Sequence, residues 1–168
     1  LAVIIQHGLQ EMFVEKRAQY FYITVTNENY VQPPMPAGCE ADIRRGMYLL
    51  RGSPAAPKRT KKRVQLLGSG AILREVIAAA DILESEFKVF SEVFSVTSFN
   101  ELKRDGDSVQ RWNRLNPDQS PRVSHVEECL GDGAGPVIAA TDYIKLYADQ
   151  IRSQVRSSYH VLGTDGFG

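Results

Sequence analysis

Three short stretches carry residue types that could do chemistry. Gly68-Ser69-Gly70 stands between an apolar run, Arg63 to Leu67, and a helical pattern, Ala71 to Leu83. A glycine turn between strand and helix is where backbone amides at a helix N-terminus can receive a pyrophosphate. The dinucleotide fingerprint also wants a third glycine at position 73, where this chain has Leu73. It wants an acid after the second strand, where Val96 runs into Thr97 and Ser98. The tight turn needs its glycines in any case, so a turn is the preferred reading and a nucleotide site the alternative. His125, Glu128 and Cys129 recur at three and four along one helical face, a spacing that can supply metal ligands. No further ligand with matching spacing follows, so a surface histidine beside a buried cysteine is expected. Lys58, Arg59, Lys61 and Lys62 could grip phosphates. Without interleaved aromatics, in a chain of zero net charge, they read as a solvated loop. Neither a Gly-x-Ser-x-Gly elbow nor a phosphate loop ending in Gly-Lys-Ser/Thr is present.

The elements that must position these residues follow from periodicity. Four apolar runs, Arg63 to Leu67, Glu92 to Val96, Val137 to Ala140 and Tyr159 to Leu162, are separated by helical patterns. Parallel neighbours need long crossovers, so the four strands are expected to be mutually parallel, with helices on both faces. The fold class is therefore α/β: a three-layer αβα arrangement around a mostly parallel sheet. A further strand at Met47 to Leu50 is placed antiparallel at an edge, after a short helix from Glu40 to Arg45 that Gly46 closes.

Ahead of this, Leu1, Ile4, Ile5, Gly8, Leu9, Met12 and Phe13 give a helix ending near Lys16, and Tyr20 to Thr26 reads as a strand. Asn27 to Gly38, with Pro33, Pro34 and Pro36, is an extended linker and the expected domain boundary. After Val96, Ser98 and Glu101 form a capping box. Asp105-Gly106-Asp107 is expected to break that helix, with a second segment from Ser108 that holds Trp112 as a packing anchor. Pro121 opens a segment whose apolar side is Val123, Val126 and Leu130. Thr141 is expected to cap a last full helix with Ile144, Tyr147, Ala148 and Ile151 on its buried stripe.

At 168 residues and 43% hydrophobic, the chain can bury an ordinary core. Lys+Arg and Asp+Glu balance at 20 each, so bulk charge argues for neither nucleic acid nor membrane as partner. Its longest apolar run is far below the roughly 20 residues that span a bilayer. Cys39 and Cys129 lack a framework spacing and are expected to be free thiols in a reducing compartment, with the cytoplasm as default. Both ends read as cut from a longer protein: Leu1 already lies in a helical pattern, and Gly168 stops where a helix should follow a strand.

Longer blocks carry a specific likeness. Tyr22-Ile23-Thr24, Asn27-Glu28-Asn29-Tyr30 and Val64-Gln65-Leu66-Leu67-Gly68-Ser69-Gly70 come first. Ser95-Val96-Thr97-Ser98-Phe99, Glu101-Leu102, Arg104-Asp105-Gly106 and Arg111-Trp112-Asn113 follow. Thr141-Asp142-Tyr143 and Leu162-Gly163-Thr164-Asp165-Gly166-Phe167-Gly168 complete the series. In this order, over nearly the whole chain, they resemble the homodimeric pyruvate dehydrogenase E1 family.

The resemblance implies a thiamine-diphosphate- and magnesium-dependent enzyme that decarboxylates pyruvate. It passes the two-carbon unit to the lipoyl group of a dihydrolipoyl acetyltransferase partner, and works as a dimer of E1 subunits. It also implies that Leu1 to Gly38 is the tail of the pyrimidine-binding middle domain plus a linker. Cys39 to Gly168 would be a transketolase-type C-terminal domain lacking its last helices. The family holds diphosphate and metal through a Gly-Asp-Gly motif followed by an asparagine. Here Gly131-Asp132-Gly133 has no asparagine after it and reads as a turn. The family's activating glutamate and substrate-side histidines lie upstream of Leu1, so no catalytic, cofactor-binding or metal-binding role is carried onto any position. A non-catalytic α/β interaction module is the alternative of a different class.

Overall fold

A computed structural model describes residues 1–25, 29–52, 62–131 and 135–166. Five strands form one sheet in the order β1-β3-β2-β4-β5. They are β1 (Met47–Arg51), β2 (Arg63–Gly68), β3 (Phe90–Val96), β4 (Val137–Ile144) and β5 (Tyr159–Thr164). The pairs β2–β3, β2–β4 and β4–β5 are parallel, while β1 lies antiparallel on β3 at the edge. The expected architecture is the observed one, edge strand included.

Burial on both faces explains why the central strands read as continuous apolar runs. Helix α3 (Ile72–Ser85) covers one face, where Val76 and Ala80 pack on Val64, Leu66 and Val93. On the other face lie α4 (Phe99–Leu115), α5 (His125–Leu130) and α6 (Lys145–Asp149). Phe99, Leu102, Val126, Ala148 and Ile151 from that layer close over Leu67, Phe94 and Ala139. The short α2 (Glu40–Arg45) leads into β1.

Three expectations about local structure are corrected. Tyr20 to Val25 is extended but has no strand partner among the described residues, and Tyr20 and Tyr22 are each 86% exposed. Aromatic and β-branched composition marks a strand only where backbone groups find another strand. The first helix ends close to where expected: α1 (Ala2–Leu9) widens into a π-helical turn over Gln10–Val14, and Lys16 leaves the helix with φ +56°. There Glu11 is buried and takes Arg17 at 2.8 Å and Gln19 at 3.0 Å.

Asp105-Gly106-Asp107 does not break α4. One glycine costs a helix only about 1 kcal/mol relative to alanine, and the ion pair of Lys103 with Asp107 spans the position. Gly106 is where the buried Gln154 side chain presses onto the helix; a Cβ there would meet Gln154 Nε2 at 2.3 Å. Finally, Thr141 does not cap a full helix. It belongs to β4, which continues to Ile144 before the short α6, and a 3-10 turn over Arg152–Gln154 follows.

Capping also divides differently. Ser98 Oγ accepts from the Glu101 amide at 3.1 Å, but the Glu101 carboxylate turns to Arg104, so only half of the box forms. The complete box is Ser124 with Glu127 at the start of α5.

Candidate functional site

Strand β2 hands the chain to α3 on one face, while its neighbour β4 hands it to α6 on the other. In open α/β sheets, ligands favour the crevice at such a reversal, outside the carboxyl ends of the strands. Here that crevice is built from Ser69-Gly70 after β2 and Thr141-Asp142-Tyr143 within the end of β4.

Backbone geometry explains the glycines. A Cβ on Gly68 would come within 3.0 Å of the Leu73 backbone, so the bare Cα lets α3 pack down on β2. Gly70 has φ +59°, a left-handed conformation that glycine adopts without penalty. Between them the buried Ser69 donates from its hydroxyl to Thr141 Oγ1 at 3.0 Å. Thr141 Oγ1 also accepts from the Tyr143 amide at 3.2 Å, folding residues 141–143 into an irregularity in the β4–β5 register. Asp142 is thereby turned toward the glycine turn, and a Cβ on Gly70 would lie 3.3 Å from its Oδ1. Thr164 Oγ1 donates to the Asp142 carbonyl at 2.9 Å, and Lys145 pairs with Asp165 at 2.7 Å.

This arrangement argues against a nucleotide at the turn. The positive end of the α3 dipole is faced by the chain's own carboxylate, which stabilises the helix and repels an incoming phosphate. A diphosphate does not fit residues 68–71 beside Asp142. Nor do His, Cys, Asp and Glu gather in threes suited to a metal ion among the described residues. The thiamine diphosphate and magnesium implied by the resemblance therefore find no matching donor set among the described residues.

The second candidate is partly assembled, with a purpose other than metal binding. His125 is 1% exposed, which corrects the expectation of a surface histidine. Its Nε2 lies 2.8 Å from the Met47 carbonyl; a carbonyl only accepts, so Nε2 carries the proton. The His125 amide donates to Asp105 Oδ2 at 2.7 Å. One residue thus ties α5 to the edge strand and to α4. Nδ1 is 3.7 Å from both Glu128 Oε2 and Cys129 Sγ.

Glu128 is committed to Arg45 at 2.7 Å, and that hydrogen bond holds its carboxyl below the ordinary range. Burial pushes the Cys129 thiol up to about 11, with Asp42 adding to the shift. A thiol so reluctant to ionise is neither a nucleophile nor a ready metal ligand. His125, Glu128 and Cys129 form a structural corner. Both cysteines are free thiols.

Of the basic cluster, Lys58, Arg59 and Lys61 lie outside the described residues, as do Asp132 and Gly133 of the Gly-Asp-Gly turn. Lys62 is exposed, with its carbonyl taking the Phe90 amide at 2.9 Å. Asp142 went unremarked as a site residue in the sequence. Its signal was positional: Thr141-Asp142 follows an apolar run directly, as Ser69-Gly70 does on the neighbouring strand. Gln65 is a second omission. Buried inside β2, it donates to Glu92 at 3.0 Å and to the last carbonyl of α5, Leu130, at 3.2 Å. A polar residue within an apolar run was the visible sign.

Fold and crevice together define a three-layer α/β domain with an aspartate, Asp142, beside the glycine turn at its switch point. The family model described as the transketolase-like TK C-terminal domain matches residues 46–168, and the chain belongs to that family. Residues 1–33 match the model of the pyruvate dehydrogenase E1 component middle domain.

Among curated relatives, the pyruvate dehydrogenase E1 component of Pseudomonas aeruginosa is 59% identical over all of this chain. Those of Cupriavidus necator and Escherichia coli are 52% and 49% identical, again over all of it. The chain covers 19%, 18% and 18% of these three proteins respectively. It thus spans under a fifth of the length of the relatives it matches.

Proposed function

We propose that the chain is the transketolase-type part of a pyruvate dehydrogenase E1 component, working as scaffold and subunit packing rather than as the seat of chemistry. The observation that carries this reading is identity of 59% sustained across the entire chain. In it, Leu1 to Gly38 is the tail of the pyrimidine-binding middle domain with its linker, and Cys39 to Gly168 the C-terminal domain, short of its last helices. The order of the two family matches, 1–33 then 46–168, supports that division. So do the apolar side chains left exposed in the first segment, among them Leu9, Phe13, Tyr22 and Val31.

The whole enzyme decarboxylates pyruvate with thiamine diphosphate and magnesium, and reductively acetylates the lipoyl group of its dihydrolipoyl acetyltransferase partner. It does so as a homodimer in the cytoplasm. The residues that hold cofactor and metal and those that act on substrate belong to other parts of the protein. No helix among the described residues is long and apolar enough to cross a membrane. The carboxylate at the glycine turn supports a supporting role, because it occupies the place a phosphate would need.

The test is calorimetry of the 168-residue chain with thiamine diphosphate and magnesium, beside carbon dioxide release from pyruvate. Amide dispersion in a proton spectrum checks that the chain is folded. The full-length protein is expected to bind and turn over, and the folded chain alone to do neither at micromolar cofactor. Saturable binding or turnover by the chain alone overturns the division of labour. A full-length protein without pyruvate decarboxylation overturns the enzyme assignment.

A further inference from the structure

Most exposed cations around the sheet are already paired. Arg45 meets Glu128 at 2.7 Å, Arg51 meets Asp81 at 2.8 Å, Lys145 meets Asp165 at 2.7 Å and Arg156 meets Glu127 at 3.2 Å. Lys103, Arg104 and Arg152 pair with acids within a turn or so of themselves. The C-terminal end of α4 departs from this pattern. Arg111 and Arg114 are exposed, and neither has an acidic partner among the described residues.

Beside them, Arg122 sits over the Trp112 ring, 3.9 Å from its centroid. Two hydrogen bonds hold it there: the Arg122 amide donates to Asn113 Oδ1 at 2.8 Å, and Asn113 Nδ2 donates to the Arg122 carbonyl at 3.0 Å. At about 100° per residue, Arg114, Arg111, Leu115 and Trp112 follow one another around the helix. Leu115 is 66% exposed and Val123 is 47% exposed. Asp118 is the one acid in the turn over 116–123, and it pairs with none of the three arginines.

We propose that the end of α4 and the turn that follows it form a docking surface for an acidic protein segment carrying an aliphatic side chain. Cations in a last helical turn complement the helix dipole, which accounts for Arg111 and Arg114 singly. It does not account for a third guanidinium fixed over an aromatic ring, or for two uncovered aliphatic side chains beside it. Arginine and tryptophan are the residue types that concentrate binding energy at protein interfaces. A guanidinium matches a carboxylate in its planar fork, so the unpaired charge selects an acidic partner. Leu115 and Val123 select one with an apolar side chain, which a nucleic-acid backbone lacks. This inference stands apart from the proposed enzyme and holds whether or not that reading does.

Trp112 is the single tryptophan of the chain, so its fluorescence reports on this surface alone. The full chain is titrated with a synthetic peptide alternating Glu and Leu, and in separate arms with inorganic phosphate and a single-stranded oligonucleotide. The peptide is expected to change Trp112 emission saturably, with binding that weakens as salt rises. The double variant Arg111→Ser/Arg114→Ser should bind about tenfold more weakly, Leu115→Ser should also bind more weakly, and Asp118→Asn should bind more tightly. All four positions are at the surface, and thermal melts verify that each variant folds. Equal peptide affinity for the double variant overturns the proposal, and so does saturation by phosphate or oligonucleotide at the same concentration as by peptide.

Discussion

The segment before Cys39 and the sheet after it are built from similar residues with opposite fates. After Cys39, Leu67 and Phe94 of the sheet and Phe99 and Leu102 of α4 vanish into the core. In the first segment, Leu9, Phe13, Tyr20, Tyr22 and Val31 stand in solvent, although α1 and the extended stretch are as apolar as any strand of the sheet. The segment's contacts leave these side chains uncovered: the His7 ring meets Phe21 edge-on at 5.8 Å, Tyr30 reaches α3 at 5.8 Å from the Arg74 guanidinium, and α1 lies against α2. Apolar composition sets what an element wants to bury, and only a second layer lets it do so.

Truncation experiments can break this contrast. The largest expected effect is Phe99→Ala, in the fully buried layer between α4 and the sheet, which should cost about 3–5 kcal/mol in urea unfolding. A loss below about 1 kcal/mol would mean that layer is not the core. Next, Gly106→Ala should cost about 1–3 kcal/mol despite alanine's better helix propensity, because its methyl collides with Gln154. The double variant Gly106→Ala/Gln154→Ala should recover most of that loss; without recovery, the collision is not the cause.

Ser124→Ala removes the hydroxyl of the complete capping box at the start of α5 and should cost about 1 kcal/mol by the same measurement. Ser98→Ala should cost no more, since its box is half formed.

Cys129 gives a pH test with a defined sign. Its folded thiol is raised from the ordinary 9.0 to about 11, so between these values the unfolded chain releases a proton that the folded chain keeps. Its contribution is fully present below pH 9 and is lost as pH climbs toward 11. Cys129→Ser should flatten that part of the stability profile, measured by denaturant midpoint against pH. The smallest effect belongs to the first segment: Tyr22→Ala should stay within about 0.5 kcal/mol, and a larger loss would show that the segment is packed after all.

Strands buried on both faces were legible because Val64 to Leu67, Val93 to Val96 and Val137 to Ala140 leave almost no polar residue to misplace. Edge and segment behaviour was less so. Tyr20 to Val25 carries every local mark of a strand, and pairing is decided by a partner that local sequence cannot name. Gly106 was misread because the helix break it suggests was overridden by a tertiary contact with Gln154, far along the chain. Thr141 was misread because a hydroxyl before a helical stripe serves equally as cap or as a hydrogen-bonding partner for Ser69. The candidate site was legible as residues and not as an arrangement. The turn at Gly68 to Gly70 stood out at once, whereas the carboxylate that fills it arrives from a neighbouring strand.

The strand order carries a consequence for how the chain acquires its shape. Strand β2 sits at the centre, yet its two neighbours arrive at very different times: Gln65 bonds Glu92 across 27 positions, whereas Ser69 bonds Thr141 across 72. Closing the longer loop costs on the order of 4 kcal/mol in chain entropy before any contact repays it. During synthesis at roughly 5–20 residues per second, one flank of β2 therefore stays open for several seconds after the other has zipped. For that interval the nascent chain exposes a hydrophobic, unpaired strand edge to its surroundings. Codon choice or chaperone supply between Glu92 and Val137 then bears on yield without touching the finished structure.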